Sequence, residues 1–284
     1  MTHFLRGLVD ALTHARLSLV ALAIALHFGG LVITGERWRV VIAGLGSRLS
    51  LTRTVLINLA GIFVRNTTPT TGLGGDASRI ALMRADGVPL AQATASFAYV
   101  RLAELPPLAA VVLLSAPVAV MVALRSRRWA IVTVTVVALA LALAWLKRST
   151  LRARLDGLWQ RTAHLRIGWR VAAAAIAFAT LAQVETIARQ IVIAGAFGLW
   201  LTPQQAAAVT VMGIVGGFVP TVGSVGAIDG SLVGGLMLCG ASAQTAVAIT
   251  VVERGISYAL TTAVGGAALA ILGGRRVMRA VSAQ

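Results

Sequence analysis

The chain has 284 residues, 58% of them hydrophobic and 12% charged, with a mean hydropathy of +0.87. A soluble domain is about a quarter charged, so half that share, with the apolar residues gathered in long runs, excludes a soluble globular fold. The net charge of +16 would point to nucleic acid in a soluble chain. Here the arginines stand between apolar runs, as in the cytoplasmic loops of membrane proteins, so membrane lipids, anionic ones foremost, are the expected partners and nucleic acid is not.

The apolar runs are Ala/Leu/Val stretches without the alternation a barrel strand needs, so the expected class is all-α, a polytopic helical membrane protein. Cys239 is the only cysteine, which leaves no intrachain disulfide and no cysteine-based metal site. His3, His14, His27 and His164 show no ligand spacing, and neither a metal nor a cofactor is expected.

In chain order, residues 1–16 form a mixed lead with Arg6, Asp10 and Arg16. Leu17 to Thr34 is the first span, near the ~20 residues a bilayer core requires, and reads as a mature span rather than a cleaved leader. Glu36, Arg37, Trp38, Arg39, Arg48 and Arg53 follow it. Val55 to Val64 and Ala77 to Ala85 are too short to span and flank a Pro/Gly break. Leu90 to Leu124 is apolar over ~35 residues, more than one crossing at ~1.5 Å per residue, with Pro106, Pro107 and Pro117 placed to kink or divide it.

Trp129 to Leu146 is the next span, and Lys147 to Arg170 is the most basic loop, expected in the cytoplasm. Val171 to Leu199 spans again and holds Glu185 and Arg189 four apart on one helix face. Ala206 to Val219 is short and breaks at Pro220 to Gly230, and Ser231 to Leu238 is a second short piece. Ala243 to Leu272 is the last long run, with Glu253 and Arg254 inside it and Arg275, Arg276 and Arg279 after it.

The two breaks match. Pro69-Thr70-Thr71-Gly72 corresponds to Pro220-Thr221-Val222-Gly223, with Gly61 and Gly213 upstream. Asp76 to Gly87 and Asp229 to Gly240 are each 11 residues, and Gly87 to Arg101 and Gly240 to Arg254 are each 14. The chain thus reads as one membrane domain over 1–284 with related halves, 17–124 and 171–272, joined through 125–170. Arginines surround the first break, whereas Leu199 to Val252 holds no Lys or Arg. The positive-inside bias then opens the first hairpin to the cytoplasm and the second to the outside, an inverted-topology repeat with a re-entrant hairpin in each half. The C-terminus falls on the cytoplasmic side.

A Pro/Gly break inside a bilayer persists only where protein or a wet cavity covers its backbone. The short helix after it offers free N–H groups and a positive dipole end, an anion site. In the first half Gly72, Gly74 and Gly75 would admit an anion, and Arg65 and Arg79 would add fixed charge suited to phosphate. Asp76 and Arg79, three apart, read equally as a helix cap with an ion pair. Arg101 and Glu104, also three apart, read equally as a packing pair; ionisable groups at membrane depth are nevertheless functional by default. Glu185 with Arg189 is an intramembrane pair of the same kind. In the second half Pro220, Gly223, Gly226, Asp229, Glu253 and Arg254 form the expected gate. The pairs Gly216-Gly217, Gly234-Gly235 and Gly265-Gly266 read as close helix packing. No nucleophile–base–acid set can be assembled, so no enzyme activity is expected.

At these residues the chain resembles a known family. Asn66 to Arg79, read as N-x-x-P-x-x-G-x-G-G-D-A-x-R, then Arg101 and Glu104, and in the second half P-T-V-G-S-V-G-A-I-D-G with Glu253-Arg254, are similar to the lysylphosphatidylglycerol synthase transmembrane-domain family of flippase-like proteins. One departure is Asp229, where family members often carry Glu. The resemblance implies an integral protein of the bacterial inner membrane with re-entrant hairpins. In multidomain relatives a cytoplasmic domain makes aminoacyl lipid and the membrane part moves it between leaflets. No such domain is read in this sequence, so the expectation is a flippase for an anionic or phosphate-bearing lipid. The alternative is a non-catalytic scaffold for a lipid-modifying enzyme of an envelope-lipid pathway, such as hopanoid or polyprenyl-linked glycan synthesis.

Overall fold

A computed structural model describes residues 2–68, 73–125, 166–217 and 226–273. The described residues are helical throughout, connected by turns and short irregular segments. Helix α1 (Thr2–Thr13) leads into α2 (Leu17–Gly44), α3 (Leu51–Thr67), α4 (Leu73–Ala85) and α5 (Leu90–Arg125). After it come α6 (Trp169–Ala196), α7 (Pro203–Gly216), α8 (Ala227–Leu238) and α9 (Ala243–Arg254). A π-helical stretch, Gly255–Leu260, continues α9 into α10 (Thr261–Ile271). Four helices among the described residues are long and apolar enough to cross a membrane: Leu17–Gly44, Leu90–Met121, Trp169–Ala196 and the continuous Ala243–Ile271. The predicted span Trp129–Leu146, the basic loop up to residue 165, and Arg275, Arg276 and Arg279 lie outside the described residues.

Two expectations are corrected. The first span does not stop at Thr34; α2 continues for ten residues across Glu36–Arg39. Nothing there breaks a helix, and the charges are answered: Arg39 donates to Glu36 one turn back (2.6 Å), while Arg37 and Trp38 are buried. The chain turns only after Leu45, at Gly46, whose φ of +96° suits glycine alone. Nor do the prolines divide α5, which is helical across Pro106, Pro107 and Pro117. A proline removes one N–H and crowds the carbonyl four residues back. Unwinding would expose more backbone where no water can satisfy it.

The short helices pair as antiparallel hairpins. Ser50 caps α3 by accepting from the Arg53 amide (3.3 Å). Arg53 also pairs with Asp86 at the end of α4, closing the hairpin at its open end. Toward the break, a Cβ at Gly75 would fall 2.5 Å from the Gly61 carbonyl, so this glycine lets α4 press against α3. In the second hairpin Thr202 and Gln205 form a reciprocal capping box at the start of α7. A Cβ at Gly216 would likewise fall 2.7 Å from the Ala227 carbonyl of α8.

The halves interlock. Buried clusters gather around Ile57, Leu82, Met83 and Val100 in the first half and around Ile193, Val209, Leu236 and Ile249 in the second. Each hairpin packs on the long helix of the opposite half: α3 on α10 and α7 on α5. A Cβ at Gly265 of α10 would fall 2.5 Å from the Leu59 carbonyl of α3, the close approach expected of a small residue at a membrane helix interface. At the centre α2 and α6 run antiparallel, with Arg16 beside Ala196, Gly30 against Glu185, and Gly44 against Val171.

Candidate functional site

Charged side chains from α2, α4 and α5 meet in one chain of ion pairs. Arg37 donates to Glu104 (2.6 Å), Glu104 accepts from Arg101 (3.1 Å), Arg101 reaches Asp76 (3.2 Å), and Asp76 accepts from Arg79 (2.6 Å). Asp76 lies in the first turn of α4, where the helix dipole favours a carboxylate, and its pairing with Arg79 fits the i,i+3 spacing. The ion pairs of the packing reading are present, and Arg79, Arg101 and Glu104 also border a cavity.

That site is a cavity of about 220 Å³. Its walls come from α2 (Thr34, Arg37), α3 (Asn58, Arg65), α4 (Arg79), α5 (Arg101, Glu104) and α6 (Gln183, Thr186). Arg65 has no hydrogen-bond or ion-pair partner among the described residues, yet stands within electrostatic reach of Arg79 and Arg101. The Nε–H groups of Arg37 and Arg79 are buried without an acceptor. Four guanidiniums therefore share two carboxylates, Asp76 and Glu104. Buried donors without acceptors and excess positive charge are both costly, and an anion in the cavity would relieve both.

A second cluster lies along the α2–α6 pair, next to the cavity. Arg189 donates to Glu185 on its own helix (3.1 Å) and to Glu253 on α9 (2.7 Å). The intramembrane pair read from sequence is thus a triad spanning two helices. Glu253 and Arg254 are adjacent but turn to different partners. Arg254 takes Asp229 (2.8 Å) and stacks over the Tyr258 ring. Asp229 also accepts from the Gly226 amide (2.8 Å) at the start of α8. The hydroxyl of Tyr258 donates to the Asn66 carbonyl (3.1 Å) of the first half.

Most predicted site residues therefore meet: Arg65, Arg79, Arg101 and Glu104 at the cavity with Asp76 paired to two of them, Asp229 with Arg254, and Glu185 with Arg189 and Glu253. Gly74 begins α4, while Gly75 faces α3 rather than the cavity. Gly72, Pro220 and Gly223 lie outside the described residues. Arg37 belongs to the site although its position after an apolar run reads as a loop. A usable signal existed: Arg37 and Arg189 stand 152 residues apart, almost the 153 that separates Asp76 from Asp229.

Residues 4–265 match the profile of the family described as lysylphosphatidylglycerol synthase TM region, and the chain belongs to that family. It is an integral membrane protein. No curated protein and no solved structure matches it.

Proposed function

We propose that this chain moves an anionic or phosphate-bearing lipid between the leaflets of the bacterial inner membrane, without chemical change to the lipid and with its C-terminus in the cytoplasm. One observation carries the reading: four guanidiniums around a cavity at the α2–α6 junction, with two carboxylates to answer them and two buried Nε–H groups unsatisfied. Pockets for drug-sized ligands run from about 300 Å³ upward, so a cavity of about 220 Å³ suits a phosphate headgroup and leaves the acyl chains in lipid. The lining accords with this, since Arg37, Arg65, Arg79 and Arg101 supply charge while the Asn58 and Gln183 amides supply neutral donors.

The same reading takes the halves as an inverted repeat with α3–α4 and α7–α8 as re-entrant hairpins. The antiparallel course of α2 and α6, the first helices of the two halves, supports it, because repeats of equal orientation would run parallel there. The exchange of hairpins between halves, and glycines with positive φ at Gly46 and Gly198 and at Gly87 and Gly240, support it further. The Asp229–Arg254 pair at the second break serves as the gate.

The test is reconstitution into vesicles holding a labelled anionic lipid in one leaflet. The wild-type chain should equilibrate the label between leaflets, and Arg79→Ala should abolish this while the protein still reconstitutes and elutes as a folded species. Undiminished movement by Arg79→Ala would remove the headgroup assignment, and no movement by the wild type would favour a scaffold role.

A further inference from the structure

The triad beside the cavity has the opposite imbalance. Glu185 and Glu253 share one guanidinium, that of Arg189, and all three side chains are at least about nine-tenths buried (11%, 8% and 7% exposed). From α2, His27 faces Arg189 and Glu253. From the π-helical stretch Ser257 faces the Glu253 carboxylate, and Glu253 Oε2 is buried without a hydrogen-bond partner. Helix α7, also packed on α6, contains no ionisable residue, and α5, packed on α6 as well, brings Arg101 and Glu104 to the anion cavity. With His27 neutral, the cluster carries one uncompensated negative charge at membrane depth, which is expensive.

A proton is the ligand this geometry suits. Two carboxylates held around one cation cannot both stay ionised cheaply when buried, so one takes a proton. A metal ion would have to displace or face Arg189, and the described residues hold no group of three His, Cys, Asp or Glu side chains that could bind one. The histidine adds a second acceptor. Thr261 donates its single hydroxyl hydrogen to the Ile256 carbonyl (2.9 Å), so it accepts from His27 Nε2 at 2.6 Å. That places the imidazole proton on Nε2 and leaves Nδ1 basic. The Thr261 bond spans five residues because Gly255–Leu260 is π-helical, a local insertion often found at functional sites.

We infer that Glu185, Glu253 and His27, arranged around Arg189, form a proton-binding site that couples proton movement to headgroup movement. The two sites touch. Thr186 lines the anion cavity and lies 3.4 Å from Glu185 Oε2, and Glu185 has room only because position 30 is glycine, where a Cβ would fall 2.5 Å from that oxygen. A proton added to a triad carboxylate loosens its hold on Arg189, at the helix that forms one wall of the cavity. The coupling, though not the proton site itself, rests on the headgroup reading above.

The proton site is tested on the full chain in lipid nanodiscs by infrared difference spectroscopy across pH. A protonated-carboxyl C=O band should appear on acidification and be lost in Glu253→Gln or Glu185→Gln. A wild type with no titrating carboxyl, or a band unaffected by either substitution, overturns the site. Coupling is tested with the wild type in vesicles containing phosphatidylglycerol, with and without an imposed pH gradient. Acceleration by the gradient, lost in the Glu185→Gln/Glu253→Gln double variant, supports it, and equal rates overturn it while leaving the headgroup reading intact. A titrating triad in a chain that moves no lipid removes the headgroup reading and keeps the proton site.

Discussion

Asp229 holds Arg254 at 2.8 Å, and 153 residues earlier in the chain Asp76 holds Arg101 at 3.2 Å. The two pairs tie the short helix after each break to the next long helix of the same half. They differ in what else the aspartate does. Asp229 caps its own helix through the Gly226 amide, whereas Asp76 also neutralises the buried Arg79.

Asp76→Asn and Asp229→Asn should therefore differ in their effects. Removing the partner of a buried charge costs about 3–5 kcal/mol, and Arg79 is left in that position by Asp76→Asn. Asp229 and Arg254 are more open (32% and 19% exposed), so Asp229→Asn should cost only about 1 kcal/mol. An anion in the cavity can replace the lost carboxylate. Thermal unfolding with and without anionic lipid should then show a larger stabilisation of Asp76→Asn than of the wild type. Equal stabilisation would mean that Asp76 and the lipid do not compete for the same arginines.

Arg65 gives the complementary case. It has no acidic partner to orphan, so Arg65→Ala should leave folding stability nearly unchanged. It should weaken binding of anionic lipid roughly tenfold or more, since a hydrogen bond to a charged group is worth about 1.5–3 kcal/mol. The remaining affinity should depend less on salt, because one cation has left the site. Titration of the purified variant with anionic lipid at two ionic strengths measures both.

The helical class, the two short hairpins and the paired landmarks are legible in the sequence because a bilayer forces long apolar runs and makes any Pro/Gly interruption conspicuous. The boundaries near charge are not. Glu36–Arg39 reads as a loop, since an arginine beside an apolar run ordinarily faces the cytoplasm; only the position of Glu104 on α5 shows that Arg37 turns inward. Glu253 and Arg254 read as one gate because they are adjacent, yet neighbours on a helix point about 100° apart, and each finds a partner on a different helix. The role of Gly75 is hidden for the same reason: a glycine that admits a ligand and one that admits a neighbouring helix look alike until the neighbour is placed.

The exchange of hairpins between halves predicts a stability effect far from any charge. Gly265→Ala puts a methyl against the Leu59 carbonyl and the Phe63 side chain, neither of which can move without shifting α3. Overpacking of this kind costs about 1–3 kcal/mol, and it should lower the unfolding temperature. Gly255→Ala, where no heavy atom lies within 4 Å of the added group, serves as the control on the same continuous helix and should not.

The opposed orientation of the halves can be read from the single cysteine. Cys239 ends α8, next to the Gly240 turn that leads into α9, at the open end of the second hairpin. The matching turn in the first hairpin is Gly87, beside Asp86 and Arg53. If the halves are inverted, Cys239 faces outward in intact cells, and a membrane-impermeant maleimide should label it without lysis. Burial holds the Cys239 thiol above its usual range, and the thiolate is the reactive form, so labelling should be slow at neutral pH and quicken as the pH rises. An Asp86→Cys variant in a Cys239→Ser background should be labelled only after the membrane is opened. Labelling of both positions from the same side would overturn the inverted arrangement, whatever lipid the cavity holds.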